Sequence, residues 1–181
     1  MVDFKKLWDE GLRFDAFVAA CKAQYCGLWE GIYRLARIPE WAITAIPGNV
    51  QRKLLVIAED WCGDASNTVP VIARLVDQVP GLELKIIMRD QHPEVMNQYL
   101  TNGSRSIPIV IALDETFSEV GHWGPRPTEL QSWVMANRGI LPKTELYPKV
   151  RQWYARDRGQ TTIREVLKAA GFSVDAVSGV A

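Results

Sequence analysis

The stretch "RKLLVIAED", residues 52 to 60, is a short apolar run with β-branched members and no alternation of polar residues. A strand with one wet face would alternate, so this run reads as a strand covered on both faces. Covering both faces takes helices on each side of a sheet, which points to a layered α/β fold.

The rest of the chain supplies those layers. Val69, Ile72, Ala73, Val76 and Val79 recur at helical spacing and stop at a Pro-Gly pair, which predicts a helix from about Asp64 to Val79. "LELKIIM" reads as the next strand, "HPEVMNQYL" as a short helix and "TNGSRS" as a loop. "IPIVIAL" and "FSEVGHW" read as paired strands, followed by a helix over "PTELQSWVMANRG". One or two helices follow, the second over "TTIREVL" with Thr161 or Thr162 as its cap, and the closing "SVDAVSGVA" is expected to fray. Before the first strand, Phe14, Val18, Cys21, Tyr25, Leu28, Ile32 and Leu35 fall on one stripe, which predicts a single long helix. Pro39, Pro47 and Gly48 end that pattern. The expected organisation is one domain over residues 1–181, with a core at about 50–138, a helical N-terminal extension over 1–49 and a helical C-terminal extension over 139–181.

Charge excludes several classes of partner. Lysine plus arginine and aspartate plus glutamate both number 21, so no net basic field favours nucleic acid. The N-terminal "MVDFKKLWDEGLRF" is charged throughout, and no run approaches the roughly 18 apolar residues of a membrane span. Neither nucleic acid nor membrane is expected as a partner, and the expected location is cytoplasmic. Cys21, Cys26 and Cys62 are too few for a disulfide scaffold, and their spacing matches no zinc pattern. No metal site and no bound cofactor is expected.

The chemistry-bearing stretch is "EDWCGDASNTVP", residues 59 to 70. Cys62 lies between the buried strand and the following helix, where unpaired amides and the helix dipole favour a thiolate. Glu59, Asp60 and Asp64 oppose it, since nearby like charges disfavour a second anion. The sequence leaves the sign of the net shift open.

These motifs together resemble the thioredoxin superfamily. Trp61, Cys62 and Gly63 match the start of the family's W-C-G-P-C site, and Pro70 matches the proline that bends its active-site helix. "DQHP" resembles the D-x-x-P stretch after the second core strand, and "SIPIVIAL" resembles the segment opening with the family's cis-proline, here Pro108. "WCGDA", "TNGSRSIPI" and "GHWGPRP" further resemble a bacterial branch with an N-terminal helical extension. The resemblance implies a three-layer α/β/α fold with a central mixed sheet and added terminal helices. It also implies that Pro108 lies beside Cys62, with the backbone of Ile107 available to pair with an extended substrate segment. Trp61, Gly63 and Asp64 complete the implied substrate-binding set, with Trp61 offering a flat apolar surface.

Departures from the family pattern limit the chemistry. Ala65 stands where a resolving cysteine would be, so no internal thiol at that position can attack a mixed disulfide. The family's buried aspartate and its accompanying lysine fall on Val56 and Ile86. Cys26 is a candidate resolving thiol on the flank of the N-terminal stripe, whereas Cys21 on the stripe reads as structural. Arg105, near Pro108, is a candidate for stabilising a thiolate or a substrate carboxylate. Two functions remain. One is a monothiol redox protein in which Cys62 acts on a protein or small-molecule disulfide and an external low-molecular-weight thiol releases it. The other is a catalytically degenerate thioredoxin fold that binds a peptide or protein. The sequence assigns no oligomeric state.

Overall fold

The computed structural model describes residues 2–174. Four helices come first: α1 (Phe4–Glu10), α2 (Phe14–Ala20), α3 (Ala23–Leu35) and α4 (Glu40–Thr44). Strand β1 (Arg52–Ala58) then leads through α5 (Gly63–Val76) to β2 (Leu82–Met88) and the short α6 (Pro93–Met96). The hairpin β3 (Ile109–Leu113) and β4 (Glu119–Trp123) precedes α7 (Thr128–Asn137), α8 (Lys143–Asp157) and α9 (Gln160–Ala169). The strands form one mixed sheet in the order β2-β1-β3-β4. β1 runs parallel to β2 and antiparallel to β3, and β3 is antiparallel to β4.

Leu54 to Ala58 of β1 are fully buried, and every residue of β3 is buried, as two central strands covered on both faces require. The edge strand β4 is largely exposed until Trp123. Helix α5 packs against α3, β2 and α9, while α9 also covers β4. The α/β class, the mixed sheet and the thioredoxin-like architecture expected from the sequence are all present.

The structure corrects the expected long N-terminal helix. It breaks at Cys21 and Lys22, whose backbones are extended, and resumes at Ala23. The reason is tertiary: the Lys22 amide, which a continuous helix would consume, donates to the Asp60 carboxylate at 2.9 Å. Two stripe members, Leu28 and Leu35, are consequently exposed, and the fully buried residues are Phe17 and Trp29.

Two helix ends also differ from expectation. Helix α5 stops at Val76, three residues short of Val79, with Asp77 as its C-cap. Neither Thr161 nor Thr162 caps α9; its N-cap is Gly159 at a φ of 79°, and the Thr161 amide donates instead to Asp157. Residues 175–181, most of the tail expected to fray, lie outside the described residues.

Candidate functional site

The carboxyl end of β1 delivers Glu59, Asp60 and Trp61 to the surface, and Cys62 follows as the N-cap of α5. The Cys62 thiol sits between two backbones. Its Sγ accepts from the Ala65 amide at 3.5 Å and donates to the Ile107 carbonyl at 3.4 Å. The residue is 8% exposed. Burial pushes its pKa up to about 11, reinforced by the Asp64 charge and opposed by the Ala65 and Asp64 amides and by Arg126. Burial and the Asp64 charge together therefore outweigh the helix terminus, the shift that the sequence left unsigned.

The three acidic neighbours are each engaged. Glu59 accepts from the Asp90 amide at 3.0 Å, and Asp60 holds the Lys22 amide while its carbonyl accepts from the Trp29 indole at 2.9 Å. Asp64 is largely buried, with Oδ2 at 2.6 Å from Nη2 of Arg126 and Oδ1 accepting from the Tyr154 hydroxyl at 2.9 Å. Arg126 also donates to Gln131 at 2.8 Å, and its buried Nε has no partner. Burial, then the Asp64 charge and hydrogen bond, push the Tyr154 hydroxyl well above its ordinary value.

The Ile107–Pro108 peptide bond is cis, as is Gly124–Pro125. These two loops touch. Gly124 has a φ of 133°, and a Cβ there would lie 2.1 Å from the Pro108 carbonyl oxygen, so only glycine fits. Ile107 and Pro108 are both buried. The Ile107 amide donates to no backbone or side-chain acceptor among the described residues.

Around the thiol opens a cleft of about 490 Å³ that brings together Trp61, Cys62, Gly63, Asp64 and Ile107. Trp61 is 43% exposed, and the Arg89 guanidinium lies 4.9 Å from its ring centroid. Gly63 leaves open space where a side chain would stand. Arg105 lines the cleft too, with Nε donating to Asn97 at 2.9 Å. Leu28 of α3 and Tyr147, Val150 and Arg151 of α8 form its outer walls.

The other two thiols do not line it. Cys26 donates to the Ala23 carbonyl at 3.3 Å within α3. Cys21 is half-buried, and burial followed by the Asp60 charge pushes its pKa up to about 11. All three cysteines are free.

Arg126, Tyr154 and Tyr147 escaped the sequence reading. Arg126 lies in the "GHWGPRP" stretch that the reading singled out, but nothing there indicates its partner. Tyr154 reaches Asp64 from α8, 90 residues along the chain, a relationship with no local signature.

Comparison with solved structures places the architecture. A protein of unknown function from Pseudomonas aeruginosa is similar at a TM-score of 0.77 and 23% identity, covering 94% of this chain and 98% of that one. An HIV epitope scaffold is similar at a TM-score of 0.74 and 22% identity, with the same coverage. No curated protein matches the chain. The sequence model of the family described as thioredoxin matches residues 11–143, well over half of the chain. The chain therefore belongs to the thioredoxin family.

Proposed function

We propose that the cleft beside Cys62 is a docking groove for an extended segment of a partner polypeptide, with Cys62 a protonated thiol at its floor. The observation that carries this reading is the pair formed by Cys62 and Ile107. The thiol is buried and donates to the Ile107 carbonyl, while the Ile107 amide is left without an acceptor. An added strand would supply that acceptor, and the exposed Trp61 face would cover its side chains. Elements outside the thioredoxin core support the reading, since α3 contributes Leu28 and α8 contributes Tyr147, Val150 and Arg151 to the walls. In this reading residues 1–181 act as one domain whose extensions shape the groove. Three free thiols suit a reducing, cytoplasmic setting.

One observation favours the monothiol alternative: the Ala65 amide at the start of α5 points at Sγ and would stabilise a thiolate. There the Cys62 thiolate would attack one sulfur of a partner disulfide, expelling the other as a thiolate. A low-molecular-weight thiol would then attack the mixed disulfide and restore Cys62. Affinity capture with the full chain and its Cys62→Ser variant separates the two. Partners retained non-covalently by both support the groove, and disulfide-linked adducts lost with Cys62→Ser overturn it in favour of monothiol exchange.

A further inference from the structure

We infer that the segment taken by this groove is acidic. The inference rests on the docking reading and names the chemistry of its partner. The cleft at Cys62 continues into a second of about 760 Å³, because Ser106, Arg126, Tyr147 and Val150 line both. Along the joined groove stand the cations Arg89, Arg105, Arg126, Arg138, Lys143 and Arg151.

The single carboxylate on its lining is Asp64, already held by Arg126 and Tyr154. Arg89 is paired with Asp90 at 2.8 Å, but Arg105, Arg138, Lys143 and Arg151 have no ion-pair partner among the described residues. The whole chain carries equal numbers of acidic and basic residues, so this excess is local. A separate cleft between α1 and α6 shows the opposite balance, lined by Asp3, Glu10 and Glu94 against Lys6 and His92.

Clustered unpaired cations repel one another, and a partner carrying carboxylates relieves that repulsion while discriminating against neutral or basic segments. Apolar ground lies between the charges, at Trp61, Tyr147, Val150 and Leu146. The occupant that fits is an extended polypeptide in which carboxylate and apolar side chains are interspersed, its backbone paired with Ile107. A nucleic acid would meet the same cations, but the chain carries as many acidic as basic residues and so has no net basic field to draw a polyanion.

The test is fluorescence anisotropy on the full chain with labelled peptides of about ten residues, the usual length scale of an added strand. Glutamate alternates with valine in one peptide, and glutamine or lysine replaces glutamate in the others. The glutamate peptide is expected to bind at least about tenfold more tightly than the glutamine peptide, with a preference that shrinks as salt screens the groove. Arg151→Glu combined with Lys143→Glu, both on exposed positions, is expected to abolish the preference while circular dichroism and the melting midpoint hold. Equal binding of the glutamate and glutamine peptides, or a preference kept by the double variant, overturns the acidic partner and leaves the groove standing. Tighter binding of a uridine oligonucleotide than of the glutamate peptide overturns it in favour of nucleic acid. Failure of every peptide to bind overturns the groove itself.

Discussion

Asp64 and Arg126 meet at 2.6 Å beside the Cys62 thiol, although one opens α5 and the other follows β4. Burial raises the thiol pKa most; the carboxylate adds to that rise and the guanidinium opposes it, so the pair adjusts the thiol as well as tying two elements together. Asp64→Asn removes the anion and leaves Arg126 buried without its countercharge. The Cys62 pKa is expected to fall, and stability to drop by about 3 to 5 kcal/mol as for other broken buried pairs. Arg126→Gln should raise the thiol pKa while also destabilising. Alkylation profiles of the two variants check the opposite pKa shifts and denaturant midpoints the shared loss of stability; thiol shifts in the same direction would contradict the assignment.

The raised pKa of Cys62 has a consequence for alkaline stability. Its folded value of about 11 exceeds that of a free thiol, about 8.5, so above pH 8.5 the unfolded chain releases a proton that the folded chain retains. The contribution is present in full below the unfolded pKa and is lost as pH rises through the window up to about 11, amounting to about 3 kcal/mol. Stability measured by urea unfolding should fall less steeply across that window in Cys62→Ala than in the parent. Parallel slopes would count against a buried, protonated thiol.

Gly124 supports the Pro108 loop from behind. Gly124→Ala places a methyl group against the Pro108 carbonyl oxygen at a φ that side chains rarely adopt. A loss of about 2 to 4 kcal/mol is expected from the combined clash and backbone strain. An unchanged urea midpoint would show that the two loops are not in contact.

Ala65→Cys tests the missing resolving thiol directly. Ala65 is fully buried in the first turn of α5, and its amide already faces the Cys62 Sγ. On oxidation the variant should form an intramolecular disulfide, read by intact mass as the loss of two hydrogens; in its reduced dithiol form it should reduce a protein disulfide that the parent leaves intact, ending with that same intramolecular disulfide formed. Failure to close the bond would mean that α5 starts differently from the structure described here.

The fold was legible because its signals are local and repeated. The unbroken apolar run of β1, the helical spacing after Cys62 and the apolar strands around Pro108 each declare an element without reference to distant residues. Val56 and Ile86, the positions on which the resemblance placed the family's aspartate and lysine, are register partners on β1 and β2, a pairing that the apolar runs alone do not fix. The interruption at Cys21 and Lys22 was not legible, since the stripe continues across it and Asp60 supplies the cause from another element. For the site, Cys62, Trp61 and Ile107 could be picked out from their local sequence. The acidic flank could be seen but not weighed, because the partners of Asp64 come from the α7 approach and from α8. The cationic groove is likewise dispersed over several loops and helices, and a neutral overall composition conceals it.

The state of the Cys62 thiol decides between a docking floor and a nucleophile. The most direct measurement is the rate of Cys62 alkylation against pH, followed by intact mass in a Cys21→Ser, Cys26→Ser background. The account predicts a rate still climbing through about pH 9.5, beyond the midpoint of an ordinary thiol. A rate that reaches its plateau below about pH 8 would identify a stabilised thiolate and contradict it.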